Sequence, residues 1–141
     1  MLKKIFFFSI LLALFNCENN DILQGCIRPA PLSISSDLNN PQLINALVPG
    51  GFAELNGGYK GILLLNVNGK DFVAYDRICP ANDCKSAMTY ERGIVLKCKC
   101  DGSEYGVGKA IGGTPQTEGF NCAAIEYKVT KIGSVIRITN F

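Results

Sequence analysis

Cys79-Pro80-Ala81-Asn82-Asp83-Cys84 and Cys98-Lys99-Cys100-Asp101-Gly102-Ser103 are two Gly- and Pro-marked loops separated by a short apolar hairpin, and they hold four of the seven cysteines. The hairpin arms read Ser86-Ala87-Met88-Thr89-Tyr90 and Ile94-Val95-Leu96-Lys97, with Glu91-Arg92-Gly93 as the turn. Folding such a hairpin carries its outer ends together, so the two cysteine loops meet in space. Two pairs of sulfurs then face each other, which is the pattern of a metal site or of a pair of disulfides.

Outward from this stretch, the chain alternates strand and turn. Ile62-Leu63-Leu64-Leu65-Asn66-Val67 and Asp71-Phe72-Val73-Ala74-Tyr75 flank Asn68-Gly69, the strongest hairpin signal in the sequence. Phe52-Ala53-Glu54-Leu55 precedes Asn56-Gly57-Gly58 as a further strand. Residues 125–130 and Val135-Ile136-Arg137-Ile138 bracket Gly133-Ser134 as a second hairpin, the latter arm alternating in period two. A first edge strand is expected near Leu32-Ser33-Ile34, after Pro29 and Pro31. Asn40-Pro41 caps and starts one short helical turn over 41–47, which Pro49-Gly50-Gly51 stops. The pattern predicts an all-β sandwich or barrel.

The 141 residues suit one domain, and 18% charged against 48% hydrophobic residues make it globular. Residues 1–16 have a basic start, Lys3-Lys4, and an apolar run too short to cross a bilayer comfortably, which fits a secretory signal. The run ends at Leu14-Phe15-Asn16-Cys17, which looks like a bacterial lipoprotein signal with Cys17 as the acylated first residue of the mature chain. Residues 17–31 are then a lipid-anchored tether, and 32–141 the β domain. Removing Lys3 and Lys4 from the formal charge of +2 leaves the mature chain near neutral. With no basic patch, nucleic acid is not an expected partner; the membrane, through lipid on Cys17, is. There is no histidine, which excludes histidine ligands and histidine acid–base catalysis.

With Cys17 lipidated, six cysteines remain, an even number in an exported chain, which favours full pairing among fifteen connectivities. Cys26 and Cys122 lie outside the central loops. A bond between them would pin the tether to the last hairpin and stabilise by up to roughly 4–5 kcal/mol in the chain-entropy model. The alternative is two separate free thiols.

Asp76-Arg77-Ile78-Cys79-Pro80-Ala81-Asn82-Asp83-Cys84, followed by Cys98-Lys99-Cys100-Asp101-Gly102-Ser103-Glu104-Tyr105, resembles the cluster-binding half of a Rieske iron–sulfur domain, whose loops run Cys-x-His-x-Gly-Cys and Cys-x-Cys-His-Gly-Ser-x-Tyr. The resemblance covers about 52–138 and implies a Rieske-like antiparallel β sandwich or barrel with a two-loop subdomain at about 76–116. It matches Cys79 and Cys98 to the two cysteine ligands, and Cys84 and Cys100 to the disulfide that ties the loops. Ser103 and Tyr105 match hydroxyls that hydrogen-bond cluster or ligand sulfur. Gly112-Gly113-Thr114-Pro115 resembles the Gly-Pro loop covering the site, with Thr114 inserted. Lipoprotein start included, the chain is similar to small Rieske-like lipoproteins of the Bacteroidetes, which implies a cell-envelope protein anchored to the outer membrane on its periplasmic or outer face.

The departures from the family lie at the ligands. Ala81 and Asp101 stand where the histidines belong, and Asp83 replaces a glycine. Imidazoles hold one of the two irons in a Rieske centre; Ala81 offers nothing, and Asp101 one hard oxygen. No cofactor is therefore expected, and Cys79 and Cys98 are expected to join each other beside Cys84–Cys100. A [2Fe–2S] centre on Cys79, Cys98 and Asp101, with an electron-transfer role, is the alternative.

A disulfide-stapled structural or binding module ranks first, because it requires nothing beyond oxidation. A thiol–disulfide redox protein cycling Cys79–Cys98 lacks a Cys-x-x-Cys at a helix start, though Lys85, Lys97 and Lys99 lie close in sequence. Zinc on Cys79, Cys84, Cys98 and Cys100 would require export of an unpaired thiol set. No catalytic residues are expected. Asp83, Asp101 and Glu104 read as solvated loop charges rather than a calcium cluster, and the five tyrosines as core or strand-face residues.

Overall fold

The computed structural model describes residues 25–81 and 84–140. The signal segment, Cys17, most of the tether and Asp83 lie outside the described residues. Among the described residues, nine strands form two antiparallel sheets. The larger is a curled half-barrel of β1 (Ser33–Asp37), β2 (Phe52–Leu55), β3 (Ile62–Asn66), β4 (Phe72–Asp76), β8 (Glu126–Ile132) and β9 (Val135–Thr139), in the order β1-β9-β8-β4-β3-β2. The smaller is β5 (Thr89–Glu91), β6 (Val95–Lys97) and β7 (Glu104–Gly106), in chain order. Asn40 caps a 3-10 helix, Pro41–Ala46, through its side-chain oxygen and the Gln42 amide, with Pro41 at the start where its missing N–H costs nothing.

β3 is buried at all five positions because both faces of the large sheet are covered at this point. Period-two alternation divides the strand between two cores. Ile62 and Leu64 pack with Ala74, Tyr127, Ile136, Ile138 and the helix residues Leu43 and Ala46. Leu63 and Leu65 face the opposite way and pack with Val73 and Tyr75 against Met88, Leu96 and Tyr105 of the smaller sheet and its approaches. Cys79, Cys84 and Cys98 belong to this second core. The two loops are thus built onto the one buried face that β3 and β4 share with the small sheet.

Two differences from the sequence pattern have local causes. The central hairpin is shorter than its apolar run: β5 starts at Thr89 and β6 at Val95. Arg92 and Gly93 both take positive φ, 53° and 72°, the type I′ geometry that matches strand twist, and Ile94 N–H closes the turn on Glu91 O. Glu104-Tyr105-Gly106, read from sequence as part of the second loop, is a strand that adds to β6.

Cys26 is bonded to Cys122, with Cα atoms 5.4 Å apart across 96 residues of sequence. The segment it anchors also donates Ile27 N–H to Pro80 O at 2.8 Å, so it braces the first cysteine loop. Replacing both Cys26 and Cys122 by Ser is expected to remove up to about 4–5 kcal/mol of unfolding free energy. Urea unfolding of the oxidised pair of proteins measures it.

Candidate functional site

The first loop is held by a buried carboxylate. Asp76 ends β4 with no exposed surface. Its Oδ2 accepts the Tyr59 amide at 2.7 Å and the Tyr127 hydroxyl at 3.0 Å. Its Oδ1 accepts the amides of Ile78 at 3.0 Å and Lys60 at 3.2 Å. A carboxylate stripped of water needs such a set of donors. The donors come from the 56–60 turn, from β8 and from the loop's own second residue, so one group fixes where the strand stops and the loop starts. Gly58 (φ 59°) has no alternative beside it, since a Cβ there would fall 2.2 Å from Asp76 Oδ2. Arg77 then ties the loop to β5: its Nε donates to Met88 O at 3.0 Å, and Met88 N–H to Arg77 O at 2.7 Å. The Arg77 guanidinium pairs with Glu54 at 2.6 Å.

The second loop closes on itself. Cys98 N–H donates to Ser103 O at 2.8 Å, and Gly102 N–H to Cys98 O at 3.0 Å. Asp101 Oδ1 accepts the Ser103 amide at 2.9 Å and lies 2.5 Å from Ser103 Oγ, an Asx turn reinforced by a hydroxyl. Ser103 Oγ is also 2.9 Å from the Tyr105 oxygen. One hydroxyl proton serves one acceptor, so with Ser103 donating to the carboxylate, Tyr105 donates to Ser103. Burial raises the Tyr105 phenol; the contact with Ser103 lowers it in part and the Asp101 charge raises it again.

Cys79 and Cys98 are bonded, with Cα atoms 5.5 Å apart, and Cys84 and Cys100 likewise at 5.9 Å. The sulfurs of Cys79, Cys84 and Cys98 all lie within 4.8 Å of one another, and all three residues are buried. Cys100 is exposed. Pro115 bridges to Tyr105, Gly106 N–H donates to Thr114 O at 2.9 Å, and Ala124 N–H to Gly113 O at 2.8 Å. Gly113 is obligatory in this approach: at φ 68° an added Cβ would meet Ala124 O at 2.5 Å.

The positions aligned with Rieske ligands present two sulfurs already joined to each other, an exposed methyl at Ala81, and an Asp101 carboxylate occupied by its own turn. This donor set does not fit a [2Fe–2S] cluster. Of the loop carboxylates, Asp83 lies outside the described residues, and Glu104 pairs with Arg92 at 2.5 Å and with Lys97 at 3.5 Å. The bond to Arg92 chiefly holds the Glu104 carboxyl below its ordinary range. Tyr75, Tyr105 and Tyr127 are core residues, while Tyr59 is exposed and Tyr90 meets Phe52 edge to face at 4.8 Å. The fold and site thus define an all-β protein with two disulfides side by side in its loops and a third bracing them. The chain matches no protein-family model, and no curated protein matches it.

Asp76, Arg77 and Gly113 have structural roles that the loop motif does not announce. The available signal for the first was a carboxylate closing the strand Phe72-Val73-Ala74-Tyr75, where a surface charge would be out of place.

Asp76→Ala leaves three amides and a phenol without their acceptor and is expected to cost roughly 3 kcal/mol, with Asp76→Asn recovering part through its amide oxygen. Urea unfolding of both variants checks the order. A second expectation concerns alkali. Burial, the largest cause, pushes the Tyr75 phenol up to about 12, with its bond to Gly108 O opposing. The unfolded chain loses that proton near about pH 10. The unfolded state therefore binds fewer protons above that pH, and stability that is complete below it is lost as pH rises through about 12. Tyr75→Phe should flatten the fall in unfolding free energy between about pH 9 and about pH 11.

Proposed function

We propose that this chain is a cluster-free, Rieske-like β module, tethered to the bacterial cell envelope by lipid on Cys17 and serving there as a structural or binding unit. The observation that carries this reading is the Cys79–Cys98 bond, which joins the two loops at the positions aligned with the cluster's sulfur ligands. The motif, from Asp76 to Tyr105, supplies the likeness in sequence; the half-barrel and small sheet are compatible with it in architecture. The apolar run ending at Cys17 supports export and lipidation. Export in turn favours sulfur–sulfur bonds over free thiolates.

An electron-transfer role through iron has less support. Opening Cys79–Cys98 would free two thiolates, but the second iron would still face the Ala81 methyl and a carboxylate engaged by Ser103. With no histidine in the sequence, no neighbour supplies the missing nitrogen.

Protein exported to a bacterial periplasm, with its leader in place, is the sample that tests the reading. Its mature form should be colourless, free of stoichiometric iron and sulfide, and lighter than the reduced chain by two hydrogens for each of the three disulfides. Broad visible absorbance with matching iron and sulfide would overturn it.

A further inference from the structure

The two loop disulfides differ in access and share a neighbour. Cys79–Cys98 is wholly buried, whereas Cys84–Cys100 has one buried end and one exposed end. The Cys84 sulfur lies within 4.8 Å of both sulfurs of the other bond. A thiolate arriving from solvent therefore reaches Cys100, beside the exposed Lys99, and the group it expels is the one sulfur packed against Cys79 and Cys98.

We propose that Cys84–Cys100 is the surface entry of a thiol–disulfide exchange relay that carries reduction inward to Cys79–Cys98, with a dithiol as the reductant. The relay rests on the cluster-free reading above, because only sulfurs bonded to one another can exchange. In the first step a thiolate of the dithiol attacks Cys100 Sγ. A mixed disulfide forms, the Cys84–Cys100 bond breaks, and its electron pair leaves on Cys84. The second thiol of the donor resolves the mixed disulfide, leaving a Cys100 thiol and an oxidised donor. Two electrons and two protons have then entered the protein. In the inward step the Cys84 thiolate attacks one sulfur of Cys79–Cys98. A Cys84–Cys98 or Cys79–Cys84 bond forms, and the displaced sulfur leaves as a thiolate and takes up the proton that Cys84 gave up. This step is redox-neutral and needs no further reactant.

Wild-type protein is treated with limiting dithiothreitol, quenched in acid, alkylated and mapped. The relay predicts a two-electron-reduced species with a thiol on Cys100 and the second thiol shared among Cys84, Cys79 and Cys98. It also predicts a disulfide from Cys84 to Cys79 or Cys98 that the oxidised protein lacks. Thiols confined to Cys84 and Cys100 would overturn the relay, as would Cys79–Cys98 opening first. Two variants supply independent readings. In Cys100→Ser the single free thiol of the loops should distribute onto Cys79 or Cys98; residence on Cys84 alone overturns the proposal. In Cys84→Ala/Cys100→Ala the opening of Cys79–Cys98 should slow by roughly tenfold or more, and an unchanged or faster rate counts against it. Iron and sulfide are assayed on the same wild-type sample. Their presence would sink the cluster-free reading itself, whereas iron-free protein with confined thiols would sink the relay alone.

Discussion

The Asp76 carboxylate is the constraint on which the site's geometry depends. It sits at the end of a strand buried on both faces, takes donors from three separate segments, and hands the chain to the first cysteine loop within three residues. A buried charge is costly in isolation. Fully satisfied, it specifies one arrangement, because moving the loop would strand the amides of Tyr59, Lys60 and Ile78 with no acceptor. The disulfides tie the loops to each other, while the first loop's placement on the sheet is set by hydrogen bonds as well. Asp76, with Arg77 bridging to Met88, supplies those bonds at the end of β4.

Both cores depend on the same central pair of strands. Because β3 turns Ile62 and Leu64 one way and Leu63 and Leu65 the other, the half-barrel interior and the cysteine-loop layer are two sides of one sheet. The buried sulfurs are packed as core atoms against Leu96, Met88 and Tyr105, where free cysteine behaves as a small hydrophobe and a disulfide hides its polarity further. The third bond, Cys26–Cys122, works on the outside of this layer, bringing Ile27 onto Pro80.

The strands and turns were legible where the turn chemistry was explicit: Asn68-Gly69 between β3 and β4, Gly133-Ser134 between β8 and β9, and Asn40-Pro41 at the helix start. That β3 is covered on both faces is a finding of the structure; in the sequence its apolar run marks only a hairpin arm. β7 was not legible, because three residues ending in glycine, embedded in a loop motif, carry no periodicity. The sulfur pairs Cys79–Cys98 and Cys84–Cys100 are those that the motif positions and the missing histidines implied, and Cys26–Cys122 is the pair that remained. What a sequence cannot carry is the convergence of residues 59, 60, 78 and 127 on one carboxylate, since their spacing follows no local rule. The same holds for the 4.8 Å grouping of Cys84 with the neighbouring bond, which depends on how two loops pack.

Asp101 shows how a short carboxylate can close a loop. An imidazole at that position would project beyond the turn with nitrogen available to a metal. A carboxylate on a single methylene is short enough to fold back, and here it takes the amide and hydroxyl of Ser103. Ser103 thereby holds its own turn, and Tyr105 follows it as the next donor in the chain. These polar groups thus form a closed chain from a buried phenol to a solvent-facing carboxylate. Each member is satisfied by the next, as buried polar groups require. The neighbouring sulfurs are paired within the same small space, with Cys84 within 4.8 Å of both sulfurs of the Cys79–Cys98 bond.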